Sequence, residues 1–229
     1  MDITKTKEIS SYISKLLRDT FGKGPEGVYI SFGYSFVTIY IRNLLSPTDK
    51  ILMEQEQEQT IDKTRDIVFA TMLPEIKTYI KVLTGLNIRE FYYDWSLHNR
   101  SAMVTGIMTE QIEIQGMSEH FPGKEEFHKE LTHISVQAEK APDELFSYKL
   151  NDRTLVVIRN GILVNIEKEL IRKGLQSQLR IAKRSLEKRL LHNNNHFESL
   201  LKVKVIDIFV DWDFDLDKSI FLFILNPST

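Results

Sequence analysis

The chain has 229 residues, 42% of them hydrophobic, which is enough for one large domain or for two of about 110 residues each. Its 30 basic and 32 acidic residues leave a net charge of −2, which excludes a global positive field for nucleic acid, and the absence of cysteine excludes disulfides, zinc–thiolate sites, iron–sulfur clusters and cysteine nucleophiles. The polar N-terminus and the lack of a run of about 18 apolar residues predict a soluble, cytoplasmic protein without a membrane span.

The first half predicts the element order α-β-β-α-β-β. Apolar periodicity and breakers place helices over residues 4–21, 47–72 and 75–83, and strands over residues 28–32, 36–42, 88–94 and 102–108. Gly33-Tyr34-Ser35 between the first two strands predicts a hairpin, and Ser46-Pro47 predicts a helix start. Pro74 predicts an interruption, because a proline inside a helix removes a hydrogen bond and clashes with the preceding turn.

The second half repeats this order. The patterns predict helices over residues 124–138 and 163–191, and strands over residues 146–150, 154–158, 203–211 and 219–225. Asn193-Asn194-Asn195 predicts a break near the place that corresponds to Pro74.

The repetition extends to individual residues at an offset of 117, the difference between 212 and 95. The offset aligns Asp94-Trp95 with Asp211-Trp212, which contain the only two tryptophans, and Arg42-Asn43 with Arg159-Asn160. We therefore predict an internal duplication: an α+β protein of two similar halves with mostly antiparallel sheets, helices packed on them and a pseudo-twofold axis. The predicted boundaries are residues 1–115, a short linker at 116–123, and residues 124–229, with residues 23–108 superposing on residues 140–225 so that Arg42 matches Arg159.

The duplicated pairs have two interpretations. Asp94-Trp95 and Asp211-Trp212 are either ligand platforms or sheet residues that pack on the helices, and the usual burial of tryptophan favours packing. Arg42 and Arg159, each followed by an asparagine at a strand end, either bind an anion or pair with Asp94 and Asp211 of their own halves, and the available partners favour the ion pair.

Two patterns suggest a metal site, and both have plainer explanations. Asp211, Asp213, Asp215 and Asp217 alternate with apolar residues, so an extended strand would place all four carboxylates on one side. His192 and His196 have a chelating spacing on a helix. The first half lacks the acidic row, and the intervening asparagines form a poor helix, so a solvated turn and a surface pair are favoured. We expect no metal, no cofactor and no catalytic residues.

The long helices of the two halves differ in charge. Residues 51–66 are rich in Glu and Asp, whereas the helix of the second half is basic, with the candidate interaction residues Arg172, Lys173, Arg180, Lys183 and Arg184. Solvated faces are the plain explanation, and contact with anionic lipid or nucleic acid stays open. We favour a surface for a protein partner or a second copy, with an apolar patch from Leu170, Ile171, Leu175 and Leu179 beside the charges.

Several segments resemble a known family. They are Gly22-Lys23-Gly24-Pro25-Glu26, residues 31–36, residues 54–59, Leu73-Pro74-Glu75 and Phe91-Tyr92-Tyr93-Asp94-Trp95. Together they resemble the bacterial MpsC-like family, formerly a domain of unknown function, named after the C component of a sodium-translocating, membrane-potential-generating system. The resemblance implies partners among membrane subunits that handle ions or inorganic carbon, with this chain peripheral at the inner face of the membrane. It brings no agreed catalytic residues.

The resulting hypothesis is a non-catalytic accessory or regulatory protein of a membrane transport system. The alternative from another class is a small-ligand or metal sensor with a pocket at the junction of the halves, and a weaker alternative is an enzyme of unknown reaction.

Overall fold

The computed structural model describes residues 3–112, 120–194 and 196–227. The chain forms two compact units, Met1–Ile114 and Gln115–Thr229, called unit 1 and unit 2 below. Half of the predicted linker, residues 116–119, lies outside the described residues.

Unit 1 packs helices on a three-stranded antiparallel sheet. Its elements are α1 (Ile3–Phe21), β1 (Gly27–Arg42), α2 (Pro47–Glu54), α3 (Glu58–Thr84), β2 (Ile88–Ser96) and β3 (Ser101–Ile112). The sheet order is β1-β3-β2. Its helix-facing core joins Ile9 and Ile13 of α1, Phe69 of α3 and Trp95 of β2.

Unit 2 repeats this architecture with a four-stranded antiparallel sheet of order β4-β5-β7-β6. Its elements are α4 (Lys124–Ala138), β4 (Glu144–Asn151), β5 (Thr154–Asn160), α5 (Asn165–Arg172), α6 (Gln176–His192), α7 (His196–Leu201), β6 (Lys204–Asp213) and β7 (Lys218–Asn226). The predicted α+β class with antiparallel sheets in two repeated halves is confirmed.

The hairpin predicted in unit 1 is wrong. Residues 27–42 form the single strand β1, and Tyr34 absorbs the expected turn as an irregularity with a φ of 50° and a register shift against β3. A bulge bends a strand without ending it. The corresponding hairpin of unit 2 does form, between β4 and β5.

The helix breaks agree with the prediction in one place, where α6 ends at His192 before the predicted asparagine break, and differ elsewhere. Helix α3 continues through Pro74. Proline has no N–H to offer the Ala70 carbonyl, but Pro74 and Ala70 both lie on the exposed side of the helix, where water can bind that carbonyl. The break comes earlier, at Glu56, with a φ of 55°. In unit 2 the matching break is at Gly174, with a φ of 77°, so residues 163–191 are not one helix.

The two units match at two offsets. Trp95 pairs with Ala102, and Trp212 pairs with Ser219, so β2–β3 and β6–β7 correspond at 117. The neighbouring strand behaves differently: Ile41 pairs with Ala102, whereas Arg159 pairs with Ser219. Arg159 therefore matches Ile41, an offset of 118, and the predicted match with Arg42 is wrong.

Candidate functional site

The two tryptophans occupy equivalent buried positions but have different partners. Trp95 Nε1 donates a 2.7 Å hydrogen bond to Asp62, and its ring stacks on Phe69 with centroids 5.7 Å apart. Trp212 Nε1 instead donates a 3.2 Å hydrogen bond to Glu187, and Trp212 as a whole is 1% exposed. Both indoles are part of the cores between helix and sheet, as the packing interpretation expects, and neither offers an open aromatic face.

The two arginines of the predicted pair lie in different environments. Arg42 is exposed and pairs with Glu26 at the strand end, whereas Arg159 is fully buried. Successive side chains of a strand point to opposite faces, so the one-residue difference in register separates them. The expected partner of Arg159 is also wrong: Arg159 pairs with Glu187, and Asp211 pairs with Arg180.

The asparagines that follow these arginines have structural roles. Asn43 has a φ of 55°, and its counterpart at the 118 offset is Gly161, with a φ of 66°. Asn160 donates a 2.9 Å hydrogen bond to Glu144. Asn43 therefore forms a left-handed turn, a conformation to which asparagine is suited. Asn160 joins the neighbouring strands β4 and β5.

Arg159 is the centre of a buried polar cluster in unit 2. Its Nε donates to Ser219 Oγ at 2.8 Å, one terminal nitrogen donates to Ser135 Oγ at 2.8 Å, and the other donates to Glu187 Oε2 at 2.7 Å. The guanidinium also stacks over the Phe221 ring, 4.3 Å from its centroid. We call this group, with Glu139 and Lys183, the Arg159 cluster.

Lys183 connects three helical segments within the cluster. It contacts Glu139, the residue that follows α4, and donates at 2.7 Å to Glu167 of α5. Glu167 in turn accepts a 3.0 Å hydrogen bond from the Val164 backbone, so it also caps α5. The ends of α4 and α5 are therefore both tied to α6 through one buried ammonium group.

Unit 1 contains a counterpart of the Glu167–Lys183 ion pair that joins α5 to α6 in unit 2. Asp49 caps α2 by accepting a 2.9 Å bond from the Ser46 backbone and pairs with buried Arg65 at 2.8 Å. Asp49 and Arg65 precede Glu167 and Lys183 by 118 residues. Burial raises the pKa of Asp49, but the hydrogen bond and charge of Arg65 outweigh it and leave the pKa below its ordinary value. This acid–base pair is thus common to both units.

The rest of the Arg159 cluster has no polar counterpart in unit 1. Its arginine, its two serines and its two glutamates occupy positions that are apolar in unit 1. The matching residues are Phe21, Leu17, Ile41, Phe69 and Ala102 for Glu139, Ser135, Arg159, Glu187 and Ser219. The Phe21 and Phe69 rings lie 6.2 Å apart, where unit 2 has two carboxyl groups. The same architecture therefore forms without these charges.

Glu139 is the electrostatically unusual member of the cluster. Its side chain is 1% exposed, and Oε1 has no hydrogen-bond partner among the described residues. Burial and the neighbouring Glu187 charge raise the pKa of Glu139 to about 7, against the attraction of Arg159 and Lys183. Burial and the Glu187 charge thus favour the protonated form of Glu139.

The basic helix differs from the predicted interaction surface. Lys183 and Arg184 are buried, and Arg180 is paired with Asp211 and donates to the Trp212 carbonyl at 2.9 Å. Only Arg172 and Lys173 of the five candidate residues are exposed. Of the predicted apolar patch, Leu179 is buried, Leu170 and Ile171 pack partly against the core, and Leu175 is exposed. The free part of this surface is the corner between α5 and α6.

The predicted acidic row does not lie along one extended strand. Strand β6 ends at Asp213, which accepts bonds from the backbones of residues 215 and 216. Asp217 has a φ of 50° and accepts bonds from the backbones of residues 162 and 163. Asp94, the counterpart of Asp211, is fully buried. The acidic residues therefore shape a turn.

The histidine pair is divided between two helices. His192 ends α6 and contacts the Lys188 carbonyl at 2.7 Å, whereas His196 begins α7 and lies 3.3 Å from Glu130. Among the described side chains, no group of three or more His, Asp or Glu residues is placed to hold a metal ion.

Sequence reasoning missed a serine–histidine contact and a cavity, both in unit 2. His128 Nε2 lies 2.7 Å from Ser147 Oγ, but Ser147 is 1% exposed, so a substrate cannot reach this oxygen. The cavity, of about 300 Å³, is lined by apolar side chains, by Lys202, and by Lys149 and Asp152, which pair with each other at 2.8 Å. The serine and histidine are 19 residues apart on different elements, and no local spacing indicates the contact.

These features define a class: a two-unit α+β protein whose second unit has buried ion pairs at positions that are apolar in the first. Within the described ranges, no helix is long and apolar enough to cross a membrane. A family model described as "Na+-translocating membrane potential-generating system (MpsC)" matches residues 3–110 and again residues 124–227. The chain therefore belongs to the MpsC family, and the double match agrees with the duplication.

Neither of the other comparisons adds a relative. No curated protein and no solved structure matches the chain.

Proposed function

We propose that the chain is a non-catalytic accessory or regulatory component of a membrane system that transports ions or inorganic carbon and generates a membrane potential. The observation that supports it is the family match over both halves of the chain. An ion path through a bilayer needs spanning helices or a closed barrel, so in this proposal partner subunits provide the path. The chain then acts as a peripheral component at the inner face of the membrane.

The corner between α5 and α6 is the surface we assign to partner contact. Arg172 and Lys173 are exposed there, and both pair only with Glu169 of the same helix in the described structure. Ile166 and Leu175 are exposed beside them, 66% and 38% by residue. Exposed ion pairs contribute about 0–1 kcal/mol each, so these apolar side chains would supply most of the affinity.

Sodium-dependent membrane potential in vesicles tests the proposal directly. Inverted vesicles from cells lacking the chain should generate a smaller potential on sodium addition, and the purified chain should restore it. The Arg172→Glu/Lys173→Glu variant should restore less, because it reverses the assigned surface. Lys77→Glu/Lys81→Glu, the same charge change on exposed residues of α3, is the matched control. Full potential without the chain would contradict the proposal, and bicarbonate uptake by the same vesicles tests the inorganic-carbon branch.

A small-ligand sensor is the second candidate, favoured by the cavity in unit 2. Lys202 lines it with a φ of 53°, at the position where unit 1 has Gly85 with a φ of 80°. A lysine in left-handed backbone is strained, whereas glycine is not, and strain of this kind gathers at functional sites. Asp152 pairs with Lys149 at the same cavity, which leaves the Lys202 ammonium group and the apolar walls to suit a small organic anion with an alkyl body.

Calorimetric titration with hexanoate tests this candidate. Binding should be lost in Lys202→Ala and retained in Lys204→Ala, whose exposed side chain does not line the cavity. Equal heats for the wild type and both variants, or no heat at all, would exclude the cavity as an anion site.

A further inference from the structure

We propose that Glu139, beside the Glu187 carboxylate, is a proton-binding site through which unit 2 changes the contact between the end of α4 and helix α6. The site lies inside the Arg159 cluster and goes beyond the proposed transport role, because it needs no partner and no ligand other than a proton.

The first argument is a mismatch in charge. Three carboxylates, from Glu139, Glu167 and Glu187, face the two cations Arg159 and Lys183. One carboxylate therefore has no cation of its own when all are ionised. A single proton makes this group electrically neutral, which is the cheapest state for charges removed from water.

The second argument is the placement of the hydrogen bonds. Both oxygens of Glu187 are engaged, one by Arg159 and one by Trp212. Oε2 of Glu139 contacts Lys183, but Oε1 lies 3.7 Å from the nearest Arg159 nitrogen, which already donates to Ser135. A buried oxygen without a donor is the natural position for a proton.

The third argument comes from the duplication. At the equivalent places unit 1 has the aromatic pair Phe21 and Phe69, which keeps α1 and α3 together by apolar contact at every pH. Folding of this architecture therefore does not require a carboxyl pair. The pair is a property that unit 2 has acquired or kept by itself.

The charged groups that face Glu139 come from each element packed around it. They are Arg159 of β5, Lys183 and Glu187 of α6 and, through Lys183, Glu167 of α5, whereas α4 and β7 contribute the uncharged Ser135 and Ser219. Burial and Glu187 raise the pKa of Glu139 to about 7, in agreement with the geometry. Ionisation above this pH adds repulsion between Glu139 and Glu187, and protonation removes it.

The mechanical consequence follows from the links of Lys183. With Glu139 protonated, Lys183 retains Glu167 as its ionised partner, and the end of α4 is bound without charge repulsion. With Glu139 ionised, two like charges lie at the junction between α4 and α6. The junction therefore loosens as the pH rises, and the first turn of α5 is attached to the same ammonium group through Glu167.

Carbon-13 NMR of the glutamate carboxyl groups tests the proposal on the isolated wild-type protein. One carboxyl resonance should titrate near pH 7, disappear in Glu139→Gln and remain in Glu125→Gln, which changes an exposed residue of α4. Amide exchange at the end of α4 should accelerate by about tenfold or more between pH 6 and pH 8, after correction for intrinsic rates, in the wild type but not in Glu139→Gln. If every carboxyl group of the wild type titrates below pH 5.5, the proposal is overturned even without a folded variant. Vesicle potential is a separate measurement, so failure of either proposal leaves the other distinguishable.

Discussion

Arg159 donates a 2.7 Å hydrogen bond to Glu187 at two positions that are occupied by Ile41 and Phe69 in the first unit. Equivalent positions of the two cores are thus filled by apolar side chains in unit 1 and by an ion pair in unit 2. Burying charges costs several kcal/mol per ion and is repaid only by good geometry, so the pair is weak evidence for stability. This asymmetry makes unit 2 the place to look for function.

Breaking the cluster at one residue should destabilise unit 2. Arg159→Met removes the cation between Glu139 and Glu187 and leaves both carboxylates buried, which we expect to cost about 3–5 kcal/mol. Urea unfolding followed by Trp212 fluorescence in a Trp95→Phe background measures it. The control is Arg42→Met, whose side chain is exposed and should change the free energy by less than about 0.5 kcal/mol.

Replacing the five cluster residues that are apolar in unit 1 should be tolerated. The five-residue exchange Ser135→Leu, Glu139→Phe, Arg159→Ile, Glu187→Phe and Ser219→Ala copies the apolar set of unit 1. We expect a folded protein whose stability is equal to the wild type or up to about 4 kcal/mol higher, with Lys183 still paired to Glu167. Circular dichroism and urea unfolding check this. A variant without cooperative unfolding would show that the five apolar side chains pack only against the other residues of unit 1.

The stability of unit 2 should depend on pH through Glu139. Its folded pKa is raised from 4.5 to about 7, so this carboxyl group contributes stability that is fully present below the unfolded pKa and is lost as the pH rises through 7. Relative to Glu139→Gln, the wild type should lose about 3 kcal/mol between pH 4.5 and pH 8. Parallel stability curves for the two proteins would contradict the assignment.

Asp49 should behave in the opposite way. Its folded pKa is lowered, so its pairing with Arg65 contributes stability above the unfolded pKa that is lost as the pH falls through the folded value. Asp49→Asn should therefore cost most at neutral pH and least in acid. Urea unfolding of unit 1 followed by Trp95 in a Trp212→Phe background measures the difference.

Charge reversal should separate the structural from the exposed basic residues of α5 and α6. Lys183→Glu places another carboxylate beside Glu139 and Glu167 and should prevent unit 2 from folding. Arg172→Glu/Lys173→Glu should leave the unfolding midpoint within about 2 °C of the wild type, because both side chains are exposed. Thermal unfolding distinguishes the two outcomes.

By itself the sequence determined the α+β class, the duplication and the burial of Trp95 and Trp212, but not the full element order, because β1 is one strand and α3 continues through Pro74. These properties follow from local apolar periodicity and from apolar runs, which do not depend on which strands pair. It also contained the resemblance to the MpsC family, which the match over residues 3–110 and 124–227 confirms.

Only the tertiary structure decided which residues correspond and which charges meet. A shift from 117 to 118 moves a strand side chain to the other face of the sheet, so matching letters aligned Arg42 with Arg159 although Ile41 is the true counterpart. The basic residues of α6 likewise suggested an exposed interaction surface, because the sequence of a helix does not reveal whether a buried carboxylate lies opposite each cation. Lys183 lies between Glu139 and Glu167, 44 and 16 residues away, and only the folded chain brings the three groups together.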